Sequence, residues 1–154
     1  MESAECSIEA TLKTVGDRWT LLILRNIFRG IKRFETIQQD LGVARNLLSK
    51  RLQHLVENGV IERFLYQEKP DRYEYRLTNK GRALSPSLIA LMQWGDQWCS
   101  SAEPPVKLIH HTCGSPLTHS VKCETCETDV RANEIRSLDQ AERKKIATGV
   151  SSGN

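Results

Sequence analysis

The sequence predicts a mainly α-helical α+β protein that contains one small β-hairpin and a small cysteine-containing C-terminal appendage. Apolar residues recur at helical spacing through most of residues 7–98, which indicates a series of amphipathic helices. The spacing changes to alternation over residues 60–78, which indicates two short strands. Three of the five cysteines lie within fourteen residues near the C-terminal end. We therefore expect a main domain of residues 1–100, a linker of residues 101–107, a Cys/His segment of residues 108–130 and a polar, partly flexible tail of residues 131–154.

The helices before residue 42 can be placed from periodicity and from the signals at their ends. Their predicted positions are residues 7–15, residues 18–28 and residues 34–41. Asp17 can cap the second helix, because its carboxylate can accept hydrogen bonds from the amides of the first turn. Gly42 can end the third helix, because glycine readily adopts the left-handed conformation. The second helix is apolar almost all round and should lie at the centre of the core.

The next helix, residues 44–57, has two chemically different sides. Its leucines gather on one side when each residue is rotated by roughly 100°: Leu47, Leu48, Leu52 and Leu55. The opposite side holds cationic, amide and hydroxyl groups and no carboxylate: Arg45, Asn46, Ser49, Lys50 and Gln53. Such groups read base edges and bind phosphates, although an ordinary solvated helix face can have the same composition. Two short helices joined at Gly42 form a helix-turn-helix pattern.

The segment after this pattern predicts a hairpin and then one long helix. Pro70 lies in a polar turn between apolar and aromatic stretches at residues 60–66 and 73–78, and a hairpin in this place is a wing. Thr78 can cap a single helix over residues 79–99. The apolar residues of that helix exceed what a small domain can bury, which favours a dimer interface shared with the first helix. The residues concerned are Ile8, Leu12, Leu84, Leu88, Leu91, Met92 and Trp98.

Length, charge and composition exclude several classes of protein. A chain of 154 residues has room for one domain and a small appendage. A net charge of +3 permits an anionic partner but does not require one. The acidic N-terminus does not resemble a secretion signal and the apolar stretches are too short to span a bilayer, so we expect a cytoplasmic protein. No phosphate loop, dinucleotide glycine pattern or metalloprotease histidine pair is present, so we expect no enzyme, and His54 is interpreted as a packing residue.

A set of short features follows a characteristic order between residues 6 and 98. They are Cys6 before a helix, Gly16 and Trp19 ahead of LLIL, Arg33-Phe34, LSKRLQHL, NGVIER, YEYRLTNKGRAL and Trp94. In order and spacing they resemble the HxlR-type branch of MarR-like winged-helix transcriptional regulators. The resemblance implies a homodimer that binds double-stranded DNA, with residues 44–57 as the recognition helix in the major groove. It also implies a wing that touches flanking DNA, where Lys69 and Arg72 are the expected phosphate contacts.

The function implied is that of a sequence-specific repressor that binds a near-palindromic operator and responds to an unknown small-molecule or redox signal. Two features depart from the family: the wing mixes acidic with basic residues, and Asp17-Arg18 stand where members commonly have glycine and lysine. One alternative is a winged-helix adaptor that binds proteins rather than specific DNA. Another is a thiol-based sensor, because Cys6 matches a cysteine that several family members use. Glu5 disfavours a Cys6 thiolate whereas the helix N-terminus favours it, and we expect an inert thiol.

The Cys/His segment suggests a small zinc site. The pattern His111-x-Cys113, nine residues, Cys123-x-x-Cys126 could supply a tetrahedral Cys3His shell, and the segment has few apolar residues to fold without a metal. His110 or His119 could replace His111 as the fourth ligand. The alternatives are reduced free thiols, or a disulfide that joins Cys113 to one of the other two cysteines. Periodicity reveals no internal repeat in this segment or elsewhere.

Overall fold

The computed structural model describes residues 6–99, 101–138 and Glu142, and its chain divides into two compact units, Met1–Val106 and Lys107–Asn154. The described part of the first unit contains α1 (Ser7–Val15), α2 (Arg18–Phe28), α3 (Phe34–Leu41), α4 (Arg45–Glu57), β1 (Ile61–Gln67), β2 (Arg72–Leu77), α5 (Asn79–Arg82) and α6 (Ser85–Trp98). This α+β architecture confirms the predicted fold class. None of the helices in the described residues is both long enough and apolar enough to cross a membrane.

The predicted end signals of the early helices are confirmed. Asp17 Oδ1 accepts hydrogen bonds from the backbone amides of Trp19 at 3.0 Å and Thr20 at 3.2 Å, so two of the free donors of α2 are satisfied. Gly42 ends α3 in the left-handed conformation with φ of 60°. The chain can therefore turn within three residues from α3 into α4, which completes the helix-turn-helix.

The hydrophobic core of the first unit surrounds α2, which packs against α3, α4, β2 and α6. Its buried apolar residues are Val15, Ile23, Leu24, Ile27, Ile37, Val43, Leu48, Leu52, Leu55, Val60 and Ile61. One polar residue, Asn26, is also fully buried on α2. Its side-chain oxygen accepts a hydrogen bond from Arg25 Nη2 at 2.9 Å, and the same nitrogen lies 3.0 Å from Asp40 Oδ2. This chain of polar contacts joins α2 to α3 and helps to fix the angle of the helix-turn-helix.

The hairpin pairs β1 with β2 in antiparallel register, from Ile61 opposite Leu77 to Gln67 opposite Arg72. The backbone amide of Tyr75 donates to the Lys32 carbonyl at 2.8 Å, which attaches the hairpin to the segment just before α3. The wing is therefore held beside the helix-turn-helix by a main-chain hydrogen bond as well as by packing.

The prediction of one uninterrupted helix over residues 79–99 is wrong. The structure breaks it into α5 and α6 at residues 83–84, and Pro86 lies in the first turn of α6. Proline has no amide hydrogen to donate and its ring clashes with the carbonyl four residues earlier, so a helix can start there but cannot run through it. Thr78 caps only α5, through a hydrogen bond from the Gly81 amide at 3.1 Å.

Between residues 107 and 138 the second unit contains two short turns and a brief 3-10 helix at Ala132–Glu134. Isolated β-bridges close the turns, one between Ile109 and Pro116 and one between Lys122 and Asp129. The two turns have the same backbone hydrogen bonds. The prediction that the chain contains no internal repeat is therefore wrong for this segment. The stretch LDQAERKKIA at residues 138–147 of the tail favours a short helix by its composition, but apart from residues 138 and 142 it lies outside the described residues.

Candidate nucleic-acid interface

The outer face of α4 is exposed to solvent along its whole length. All five polar residues singled out from the sequence are exposed: Arg45, Asn46, Ser49, Lys50 and Gln53. On the opposite side the side chains of Leu48, Leu52 and Leu55 are at most 1% exposed. The buried leucines fix the rotation of the helix about its axis, because turning it would expose them to water. The polar face is therefore presented outward by the packing of the core.

Two contacts on this face were not foreseen from the sequence. The Arg45 guanidinium lies over the ring of Phe34, 4.7 Å from its centre, so the first residue of α3 also orients the first residue of α4. Gln53 Nε2 donates to Glu57 Oε1 at 2.8 Å. The spacing of four residues between Gln53 and Glu57 could have revealed this second contact, since such residues are neighbours on a helix surface.

The inner side of α4 is attached to the N-terminal helices by polar contacts. Arg51 Nε lies 3.0 Å from Asp17 Oδ1, so the residue that caps α2 also pairs with α4. His54 Nε2 lies 3.0 Å from the Thr14 carbonyl oxygen of α1. The interpretation of His54 as a packing residue is confirmed. Both contacts oppose rocking of α4 against the body of the unit.

Lys69 and Arg72 are exposed at the turn of the wing. Each directly follows a residue with an exposed carboxylate, Glu68 before Lys69 and Asp71 before Arg72. Along the strands, arginines stack on aromatic rings: Arg63 on Tyr73 at 3.6 Å, Arg76 on Phe64 at 3.3 Å and Arg33 on Tyr66 at 4.4 Å, each to the ring centre. Arg33 and Arg63 are exposed cations that the sequence reading did not select. Arg63 lies on β1 and Arg33 just before α3, so their stacking on aromatic rings becomes visible only once the strand register and the packing of the hairpin are known.

Cys6 lies at the N-terminus of α1 and is exposed. The pKa of its thiol is lowered by the nearby backbone amides of Glu9 and Ile8 in the first turn of α1, which stabilise the thiolate. The sequence reading gave more weight to the neighbouring carboxylates, but Glu2 and Glu5 lie outside the described residues. The helix terminus therefore dominates the environment that the structure shows for this thiol.

All five cysteines lie within the described residues, and none of them is in a disulfide. His110 Nδ1 lies 3.3 Å from Cys113 Sγ, whereas no such contact joins His111 to Cys113 among the described hydrogen bonds. Hydrogen bonds from Ser115 lower the pKa of Cys113, and those from Thr128 and Cys123 lower the pKa of Cys126. Nowhere in the described residues do three histidine, cysteine or carboxylate side chains stand close enough together to hold a metal ion.

A helix-turn-helix with an exposed polar second helix, followed directly by an antiparallel hairpin, defines a winged-helix protein of the DNA-binding class. Residues 14–103 match the model of the family described as HxlR-like helix-turn-helix. The chain belongs to this family of transcriptional regulators. The resemblance that the sequence showed is thus confirmed.

Individual relatives agree with this assignment. The chain is 45% identical over 130 residues to the uncharacterised HTH-type transcriptional regulator Rv3095 of Mycobacterium tuberculosis, a match that covers 84% of this chain and 82% of that protein. It is similar to the crystal structure of PA1607, described as a candidate transcription factor, with a TM-score of 0.78 and 37% identity over 89% of this chain and 96% of that one. It also resembles the redox regulator HypR in its oxidised form, with a TM-score of 0.55 and 29% identity over 58% of this chain and 94% of that one.

Proposed function

We propose that this regulator is a homodimeric repressor that binds a near-palindromic DNA operator by inserting α4 into the major groove. The observation that supports it most is the outer face of α4, where five exposed donor and acceptor side chains lie opposite a fully buried leucine side. An α-helix fits the major groove, in which each base pair presents a distinct pattern of donors and acceptors. A repressor of this kind acts beside the chromosome, so we place the protein in the cytoplasm.

The chemistry of the face assigns different roles to its members. Asn46 has a free amide that can donate to and accept from the edge of an adenine, and Ser49 can contact either kind of base. Arg45 and Lys50 can bind guanine edges or phosphates. Gln53 Nε2 already donates one of its two hydrogens to Glu57 Oε1, which holds the amide toward the C-terminal end of α4, so its net contribution should be smaller than that of Asn46.

The wing would contact DNA beside the α4 site through Lys69 and Arg72. Both are exposed, and a phosphate contact needs only a cation within reach, not a particular base. The carboxylates of Glu68 and Asp71 reduce the local positive potential. We therefore assign the wing a minor share of the affinity and no share of the sequence preference.

A dimer interface is supported by large apolar side chains that remain exposed on α1 and α6. Ile8 is 70% exposed and Trp98 is 68% exposed, and Leu12, Leu91 and Trp94 are also more than half exposed. Leu84 and Leu88, predicted for the same interface, instead pack against the core of their own unit. Exposed apolar groups of this size are unfavourable in water, so a second copy of the chain is the expected cover. Two copies would present two α4 helices to successive major grooves.

The decisive experiment is protection of promoter fragments from cleavage by the purified full-length protein, followed by titration of the protected duplex at several salt concentrations. We expect a protected site with two half-sites about one helical turn apart, and an affinity that falls linearly with log salt. A winged-helix adaptor would protect no fragment and retain no duplex affinity at physiological salt. A monomeric mass at micromolar concentration would contradict the dimer.

A second candidate function is control by oxidation of Cys6. It is favoured by the exposed position of the thiol at a helix N-terminus, where the pKa is lowered, and by the similarity to the redox regulator HypR. A peroxide would oxidise the thiolate to a sulfenic acid and release hydroxide. The test is DNA binding before and after peroxide treatment of the wild type and of Cys6→Ser. Loss of binding in both proteins, or in neither, would rule out a Cys6 switch.

A further inference from the structure

The two turns of the second unit repeat the same backbone geometry thirteen residues apart. In the first turn the Gly114 amide donates to the His110 carbonyl at 2.8 Å, and in the second the Glu127 amide donates to the Cys123 carbonyl at 3.0 Å. The flanking bonds correspond as well, since Leu117 donates to Leu108 at 3.0 Å where Val130 donates to Val121 at 2.8 Å. The positions that the repeat superimposes are therefore His110 on Cys123 and Cys113 on Cys126.

Each turn ends in a residue with a left-handed backbone directly after its last cysteine. Gly114 has φ of 70° and Glu127 has φ of 54°. This conformation is unfavourable for a residue such as glutamate, so the hydrogen bonds of the turn must stabilise it. Its effect is to curl the backbone round the preceding sulfur, as in turns whose amides support a thiolate metal ligand. Glycine adopts this conformation most readily, and after Cys126 a glutamate adopts it instead.

Within each turn the two superimposed positions bring their side chains together. His110 Nδ1 lies 3.3 Å from Cys113 Sγ, and Cys123 and Cys126 hold the two corresponding positions of the second turn, whose backbone hydrogen bonds are the same. Zinc–nitrogen and zinc–sulfur bonds of roughly 2.0–2.3 Å at tetrahedral angles place two ligand atoms roughly 3.5 Å apart. The distance within the first pair is close to that value. His111 occupies the place of Glu124, one residue further into the turn, and is not paired with Cys113.

The second unit also lacks what would otherwise hold it together. Not one of the described residues between 107 and 138 is buried, and three of the larger apolar side chains, Ile109, Val121 and Ile135, are each more than half exposed. A unit this small without a hydrophobic core is normally stabilised by a metal or by disulfides. The cysteines form no disulfide in this structure.

We propose that one structural zinc ion joins the two turns in a tetrahedral site whose ligands are His110, Cys113, Cys123 and Cys126. The structure shows these ligands as two pairs, and the ion would bring the pairs together as the three thiols release their protons. Four protein ligands leave no open coordination position, so the ion stabilises the unit and performs no catalysis. The geometry replaces His111, selected from the sequence, with His110 as the nitrogen ligand.

The test uses the full-length protein, purified under reducing conditions without chelator. We expect elemental analysis to find about one zinc per chain, and a titration of the metal-free protein with Co²⁺ to produce the visible bands of a tetrahedral site together with thiolate charge-transfer absorption. His110→Ala should weaken zinc binding by more than the roughly 10–100-fold that follows loss of a group that only hydrogen-bonds a ligand. The matched control is His111→Ala, its chain neighbour, which should bind zinc as the wild type does.

Two outcomes would overturn the proposal. Clearly less than one zinc per chain, with no tetrahedral cobalt spectrum on titration, would show that the cysteines bind no metal. Loss of zinc affinity in His111→Ala with none in His110→Ala would show that the assignment of the nitrogen ligand is wrong. Circular dichroism of each variant checks that the winged-helix unit stays folded, because α1 to α6 lie in that unit and their signal should not change.

Discussion

The two units of this protein are stabilised by opposite means. The winged-helix unit has eleven buried apolar residues around α2, and Asp17 and Thr78 cap the first turns of α2 and α5. The described part of the second unit has no buried residue, and its order comes from two hydrogen-bonded turns that pair histidine and cysteine side chains. A long amphipathic pattern can bury its own core, whereas a stretch of about thirty residues cannot and needs a covalent or metal link. The comparison predicts that the same kind of substitution will have very different effects in the two units.

The largest effect is expected from removing buried apolar volume in the first unit. Leu52 is 1% exposed, so Leu52→Ala should lower the free energy of unfolding by about 2–5 kcal/mol, because it removes buried methyl groups and leaves a cavity. Val121→Ala in the second unit should change it by less than about 0.5 kcal/mol, because Val121 is 59% exposed. Urea unfolding followed by helical circular dichroism measures both. Comparable losses would show that the second unit shares the core of the first.

The next largest effect on stability is expected where α5 packs closely against the residue before the hairpin. A Cβ at Gly81 would overlap the Val60 carbonyl oxygen at the start of the hairpin, so Gly81→Ala should destabilise the protein by about 1–3 kcal/mol. Gly95 on α6 has open space around it, and Gly95→Ala should leave stability unchanged or raise it by about 0.5–1 kcal/mol through its higher helix propensity. Thermal unfolding of the two variants measures both changes in stability. Equal destabilisation by both would mean that backbone conformation, and not the overlap, is responsible.

DNA binding should depend on the first unit alone. Asn46→Ala should weaken operator binding by about 1–3 kcal/mol and hardly affect random DNA, because an amide reads one base edge. Arg72→Ala should weaken both equally and reduce the salt slope by about one, as expected for a phosphate contact. Lys122→Ala, a cation removed from the second unit, serves as the control and should change neither. Equal weakening of operator and random DNA by Asn46→Ala would contradict base reading by α4.

The smallest effect concerns the thiols. The pKa of Cys6 is lowered by the amides of Glu9 and Ile8, so its thiolate persists at lower pH than that of an ordinary cysteine. Alkylation by iodoacetamide should be several-fold faster than for a free thiol near neutral pH, and its rate should fall only as the pH drops through the lowered pKa. Comparison with Cys6→Ser isolates this reaction.

The same alkylation assay, repeated with zinc bound, should distinguish the cysteines of the second unit from Cys6. Cys113, Cys123 and Cys126 should be protected from alkylation when the metal is bound, and Cys6 should remain reactive. Protection of Cys6 by zinc would show that it belongs to the metal site, and alkylation of all thiols at one rate would contradict both expectations.

The sequence by itself determined the parts of this protein that depend on residues close together in the chain. The bounds of α1 to α4, the Asp17 cap, the Gly42 turn and the two faces of α4 follow from helical periodicity and from capping groups within a few residues of what they cap. The break before α6 was also encoded locally, at Pro86, but the strong apolar pattern on either side concealed it.

Only the tertiary structure decided the contacts between residues that the sequence separates. The stacking of Arg45 on Phe34, the approach of Gly81 to Val60 and the attachment of His54 to Thr14 each require elements to be packed before the partners meet. The proposal of His110 rather than His111 as the nitrogen ligand of zinc also depends on such a contact. Both histidines have acceptable spacing from Cys113, but only the hydrogen bonds of the folded turn place one of them beside the sulfur, and spacing along a chain does not fix the direction of a side chain in a turn.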